Sequence, residues 1–173
     1  EFAREEEYKE IIRAFLEEGA EIFLFETFPS LSEILPVVRW LKEQKDVFII
    51  TQFNVNQFGY SKLGLSARKL LADAKAQKEI DACGFNCGIG PGHMGKILEK
   101  LDLMGSTWIT AIPNAGYPKI VKNRMVFNDN SQYFAEKLAE FSKMKIDMLG
   151  GCCGTTPEYI RETAKQMDFS GQE

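Results

Sequence analysis

Histidine is nearly absent from this chain: His93 is the one imidazole in 173 residues. That count argues against Ser-His or Cys-His catalysis as the main chemistry. Long apolar runs are absent too. None approaches the roughly 18 residues that a membrane-crossing helix needs, and no secretory leader is visible. A surplus of positive charge is also lacking. Lys and Arg number 21 against 25 Asp and Glu, for a net charge of −4. The cations are scattered over expected helix faces, so there is no electrostatic footprint for nucleic acid. Cysteine is sparse as well. Cys83, Cys87, Cys152 and Cys153 form no dense framework and follow no secretion signal, so disulfides are not the default. A reducing cytoplasm is the expected setting, and clustered thiols there point to metal or to catalysis. No internal repeat and no low-complexity segment is found.

What is present is one domain's worth of alternating elements, with 45% apolar residues to build a core. Helical spacing over 5–18 ends at Gly19. An apolar run at 22–26 predicts a strand. Ser30 and Glu33 form a capping-box pattern ahead of a helix with Ile34, Leu35, Val38 and Leu41 on one face and Pro36 in its first turns. A strand is predicted at 47–53, a helix from Ser66, a weaker strand at 80–86 and a helix over 96–104. A strand at 106–113 precedes a long loop, 114–129. A helix over 130–145, a strand at 146–150 and a last helix capped by Thr156 with Pro157 at its first position complete the chain. Strict alternation predicts an α/β fold with a parallel sheet, and the short apolar strands predict a sheet covered on both faces. An open doubly wound sheet and a (β/α)8 TIM barrel both fit.

The polar residues gather where the strands end: Glu26 and Thr27; Thr51, Gln52 and Asn54; Asn86 and Cys87; Asn114; Cys152 and Cys153. In a barrel these ends ring one face, where active sites sit. Successive strand residues point to opposite faces, so Cys152 and Cys153 can reach one ion only where the backbone turns. Gly150, Gly151 and Gly154 permit that turn. Cys87 follows an earlier strand in the same way and supplies a third thiol. Three thiolates suit zinc and leave one coordination position open, the mark of a catalytic site. Cys83 has clip spacing to Cys87 but falls inside a strand, where a core role is favoured. The rival for Cys152 and Cys153 is a vicinal disulfide.

The stretches GFNCGIGP (84–91) and GGCCGTTPEYI (150–160) resemble the two zinc motifs of the homocysteine S-methyltransferase family. FLFETF (23–28) is similar to that family's fourth-strand motif, and AIPNAGYP (111–118) to its seventh-strand segment, in the form closest to the branch of cobalamin-dependent methionine synthase. The matches keep the family's order from about residue 20 to 165. The resemblance implies a (β/α)8 barrel of which this chain covers roughly strands 4 to 8. Residues 1–173 would then be the C-terminal part of a single homocysteine-binding domain, with strands one to three outside this sequence.

The resemblance further implies Cys87, Cys152 and Cys153 as ligands of Zn2+. It implies Glu26 as the holder of the substrate's amino group, with Thr27 and Asn86 as further substrate-binding residues. On the residues alone, Glu26 reads equally well as an acid beside the next helix. The activity implied is methyl transfer to the thiol of homocysteine, giving methionine. The methyl donor would be methylcobalamin or methyltetrahydrofolate supplied by other domains, a fused reductase domain being a further possibility. Alternatives are an S-methylmethionine- or betaine-type homocysteine methyltransferase, or a non-catalytic structural zinc-thiolate domain. Asn54 and Asn114 read as loop residues.

One further motif is a decoy. GPGHMG (90–95) matches the dinucleotide fingerprint, but Trp108, Ile109 and Thr110 occupy the zone where that fingerprint needs an acid. His93 falls within it and reads as a surface or capping side chain.

Overall fold

The computed structural model describes residues 2–127 and 130–167. The elements are α1 (Phe2–Glu17), β1 (Ile22–Phe28), α2 (Leu35–Gln44), β2 (Phe48–Phe53), α3 (Ala67–Lys75), β3 (Ala82–Asn86) and α4 (Pro91–Leu98), followed by β4 (Trp108–Ile112), β5 (Lys119–Val121), β6 (Arg124–Val126), α5 (Ser131–Phe141), β7 (Met148–Leu149) and α6 (Pro157–Gln166). Five strands form one parallel sheet in the order β1-β2-β3-β4-β7. That order follows the chain without reversal, so there is no switch point of the kind a doubly wound sheet requires. With crossovers of the usual right hand, that order stacks the helices on one face.

Burial agrees with this winding. Phe23 and Phe25 of β1, Ile49 and Phe53 of β2, Cys83 and Phe85 of β3 and Ile109 and Ala111 of β4 are buried. They pack in one core with Val38 and Leu41 of α2, Leu70 and Leu71 of α3, Met94 and Leu98 of α4, and Phe134, Leu138 and Phe141 of α5. Each large side chain so buried contributes about 1.5–3 kcal/mol. The opposite face of the sheet is open in part: Ile22 is 65% and Trp108 50% exposed. The expectation of a sheet covered on both faces therefore fails at β1, an edge strand with one face packed and one face free. In the middle of the sheet, Gly84 lies in register between Gln52 and Thr110. The Gln52 Nε2 donates to Thr110 Oγ1 at 3.0 Å, and a side chain at 84 would strike the Thr110 main chain.

Acidic residues tie down the N-terminal ends of the strands. The Asp81 carboxylate accepts from the Ile49 N–H at 2.7 Å and pairs with Lys42 at 3.0 Å. One unit later, Asp147 accepts from the Ile109 N–H at 2.7 Å.

Several local expectations are corrected. The segment after β4 is not all loop, because β5 and β6 pair antiparallel within it. Their two-residue turn has positive φ at both Lys122 (49°) and Asn123 (58°), the geometry that matches hairpin twist; Lys-Asn is not a usual signature for it. Ser30 does not cap a helix through its side chain; its Oγ contacts Ser32 Oγ at 3.0 Å, and a short 3-10 turn (Leu31–Glu33) precedes α2. Thr156 holds the N-cap position of α6 with extended backbone but makes no side-chain cap.

Helix α4 starts at Pro91 rather than 96, so GPGHMG is its first turns. Its glycines serve packing. A Cβ on Gly92 would strike the Tyr133 hydroxyl, and one on Gly95 would lie 2.9 Å from the Phe141 ring, so α5 comes close only because these side chains are missing. Among the described residues, no helix is long and apolar enough to cross a membrane.

Candidate metal centre

The site is assembled at the C-terminal ends of β3, β4 and β7. Cys87 leaves β3 with φ of +57° and Gly88 follows at +71°, so the chain turns sharply there. The turn is tight: a Cβ on Gly88 would lie 2.7 Å from Asn54 Nδ2. Asn54 thus packs over the cysteine turn as a loop residue, in agreement with its sequence reading. After β7, the Thr155 N–H and Oγ1 both donate to the Cys152 carbonyl, at 3.1 and 2.6 Å. Gly154 closes that turn at φ +80° with the Phe127 ring against it.

Residues 112–115 bring the two turns together. The Cys87 N–H donates to the Ile112 carbonyl (3.1 Å), the Cys152 N–H to the Pro113 carbonyl (2.8 Å) and the Ala115 N–H to the Cys153 carbonyl (2.9 Å), while the Asn114 N–H donates to the Ile89 carbonyl (3.0 Å). The Asn114 side-chain Oδ1 accepts from the Cys153 N–H at 3.1 Å. Reading Asn114 as a loop residue was right as to chemistry but missed what the loop does. The exit of β4 is the template that holds both cysteine segments, and the only signal for it in the sequence was the AIPNAGYP stretch itself.

The result is a triad of sulfurs. The Sγ atoms of Cys87, Cys152 and Cys153 all lie within 4.8 Å of one another, and Cys87 and Cys153 are 3.5 Å apart. Sulfurs about 2.3 Å from one zinc ion in a tetrahedron are about 3.8 Å apart, so the donor set fits such an ion in number, element and spacing. All four cysteines are free thiols, so Cys152 and Cys153 form no vicinal disulfide. Burial first, then the neighbouring Cys87, push the Cys152 thiol up to about 12. The Cys153 thiol is raised as well, chiefly by its hydrogen bond to Cys87. Thiols this close resist ionising together without a cation among them. Cys83 is apart from the triad, fully buried in the core, and burial pushes its thiol up to about 12.

Glu26 and Thr27 stand at the end of β1, and the buried Asn86 links them to the sulfurs. Asn86 Oδ1 accepts from the Thr27 N–H at 2.9 Å. Its Nδ2 lies 2.8 Å from Thr27 Oγ1, 3.3 Å from Glu26 Oε2 and 3.9 Å from Cys152 Sγ. The carboxylate and one sulfur of the triad thus share a single amide nitrogen. His93 is outside this group; its Nδ1 contacts the Tyr117 hydroxyl at 2.9 Å, and burial raises that hydroxyl.

The chain is similar to known proteins. A family model described as homocysteine S-methyltransferase matches residues 3–167. The methionine synthase of Mycobacterium leprae is 29% identical over 163 residues, which are 91% of this chain and 13% of that protein. The methionine synthase of Mycobacterium tuberculosis is 29% identical over the same length, 14% of that protein. In fold, the chain is similar to crystal structures of the homocysteine methyltransferase MmuM from Escherichia coli. The apo form gives a TM-score of 0.72 at 21% identity, covering 95% of this chain and 56% of that one; the metallated form gives 0.70 at 21% identity, covering 94% and 51%. The chain therefore spans about an eighth of the length of these methionine synthases and about half of the solved structures.

Proposed function

Because the chain belongs to the homocysteine S-methyltransferase family, we propose that it carries the metal-thiolate part of a site that methylates homocysteine to methionine. The observation that carries this reading is the convergence of three free thiols from two distant turns within 4.8 Å. Cys87, Cys152 and Cys153 would hold Zn2+, three protein ligands leaving a position free for an incoming sulfur. The ion would supply the acidity that keeps a substrate thiol deprotonated near neutral pH.

The chain's own residues do the rest. Glu26, at the rim of the triad, offers a carboxylate to the amino group of homocysteine, with Thr27 and Asn86 beside it. In the reaction the homocysteine sulfur, having lost its proton, attacks the methyl carbon. A sulfur lone pair becomes the new S–C bond, and the donor keeps the electron pair of the bond that breaks. The donor belongs to other parts of a longer protein or to a separate molecule. Similarity to methionine synthases favours methylcobalamin or methyltetrahydrofolate on neighbouring domains over S-methylmethionine or betaine.

The five strands are read as strands 4 to 8 of a (β/α)8 barrel, and residues 1–173 as the C-terminal part of that domain. Two features support this: the unreversed strand order and the open face of β1. The free thiols suit a reducing cytoplasm. The test is to add homocysteine to the zinc-loaded full chain and follow sulfur coordination by X-ray absorption together with proton release. Three sulfurs becoming four, with release of a proton, is the expected result. An unchanged coordination shell with homocysteine present favours the structural zinc-thiolate reading instead.

A further inference from the structure

The sequence reading makes Asn86 a substrate-binding residue. On the geometry, we infer that Asn86 is instead a positioning residue that clamps Thr27 in a left-handed backbone conformation and so aims the Glu26 carboxylate at the sulfur triad. The inference deepens the proposed function and rests on it where homocysteine is concerned.

Asn86 is 1% exposed, which leaves little of it for a substrate to touch. Its side-chain amide also makes its hydrogen bonds inside the protein. The Oδ1 takes the Thr27 N–H at 2.9 Å, and Nδ2 faces Thr27 Oγ1 at 2.8 Å, so the amide grips one residue from both sides. An amide nitrogen has two hydrogens; the second is shared between Glu26 Oε2 at 3.3 Å and Cys152 Sγ at 3.9 Å.

Thr27 shows what the grip is for. Its φ is +68°, a conformation that β-branched residues strongly avoid. Pairing of β1 with β2 shifts register between Phe25 and Phe28, so Glu26 and Thr27 form a bulge, a device that re-aims side chains at strand ends. Without the clamp, Thr27 relaxes toward the extended region and the bulge flattens. The end of the strand then no longer fixes where the Glu26 carboxylate stands relative to the triad.

The test has two arms on the full chain. The first reads the clamp alone, by hydrogen exchange of the Thr27 amide. Exchange is expected to quicken at least about tenfold in Asn86→Ala, since the N–H loses its acceptor. Unchanged exchange overturns the inference, whatever homocysteine does. The second arm measures zinc content and homocysteine affinity by calorimetry. Asn86→Ala is expected to retain zinc and to bind homocysteine about 10- to 100-fold more weakly, within the range for loss of a supporting hydrogen bond. Adding Thr27→Gly should restore much of that affinity, because glycine holds the left-handed conformation unaided. In a Glu26→Ala background, Asn86→Ala should cost almost nothing more.

A loss that Thr27→Gly does not repair, or that adds fully to Glu26→Ala, means that Asn86 meets the substrate itself and sinks the proposal. Asn86→Leu, similar in volume but with neither acceptor nor donor for Thr27, replaces the alanine variant in both arms if that variant does not fold. A wild-type protein that binds zinc but no homocysteine contradicts the proposed function while leaving the exchange arm in force.

Discussion

The sulfurs of Cys87 and Cys153 lie 3.5 Å apart although 66 residues separate them in the chain. The contact between the two thiols is not what brings them together. Each is held by main-chain hydrogen bonds to the same four-residue exit of β4, so the sulfur spacing is set by backbone before any ion arrives. That preorganisation lowers the ordering cost that a metal would otherwise meet.

Removing one sulfur tests the triad directly. Cys87→Ala should lose stoichiometric zinc, with affinity falling further than the roughly 10–100-fold typical for loss of a supporting hydrogen bond. Cys83→Ala should keep zinc at wild-type stoichiometry, because Cys83 faces the core. Metal analysis after dialysis against a weak chelator distinguishes the two; zinc retained by the Cys87 variant contradicts the ligand assignment.

The turn at the tandem pair is tested at Gly154. Its φ is +80° and the Phe127 ring occupies the place of a side chain, whereas Gly64 has φ of +77° with nothing within 4 Å. Gly64→Ala should cost only the backbone strain, about 1–2 kcal/mol. Gly154→Ala should cost more and also weaken zinc binding, since Cys153 is its neighbour. Chemical denaturation and zinc titration of both variants give the comparison, and equal costs would show that Phe127 yields freely.

At the far end of the strands, stability and metal binding should separate. Asp81→Ala removes the acceptor of the Ile49 N–H and the partner of Lys42, with an expected loss of about 1–3 kcal/mol. Zinc affinity should stay as in the wild type. A parallel fall in zinc affinity would mean that the sheet transmits the damage along its length.

Cys83 should make the protein sensitive to alkali. Burial raises its thiol from the ordinary 9.0 to about 12, so the fold holds it neutral where the unfolded chain would ionise it. The sign follows: the contribution is unchanged below pH 9, and stability is lost as pH rises from there toward 12, by about 1.4 kcal/mol per unit. Denaturant unfolding on both sides of pH 9 should show the slope, and Cys83→Ala should reduce it by the share of that one thiol. An identical slope in that variant would locate the sensitivity elsewhere.

Much of the fold was legible because its elements are locally encoded. The apolar runs that became β1 to β4 and the helical spacing around Val38, Leu70 and Leu138 need no tertiary knowledge. The hairpin was hidden because Lys122 and Asn123 adopt positive φ without a glycine to announce it. The start of α4 was hidden because Gly92 and Gly95 look like loop residues until Tyr133 and Phe141 are seen against them. Ser30 matched a local capping pattern but lies at 2% exposure beside Ser32, where its surroundings override the pattern.

The candidate site divides along the same line. Its candidate donors were legible from residue identity alone, since two adjacent thiols among glycines, a third thiol after an earlier strand and an acid at a strand end are properties of the chain. Their convergence belongs to the tertiary structure. It depends on the parallel register of β3, β4 and β7, on the exit of β4 lying between the cysteine turns, and on a buried amide from β3 gripping the bulge of β1. Hydrogen bonds between main chains carry no side-chain signature, so no local pattern of residues reveals which distant turn a given strand end will meet.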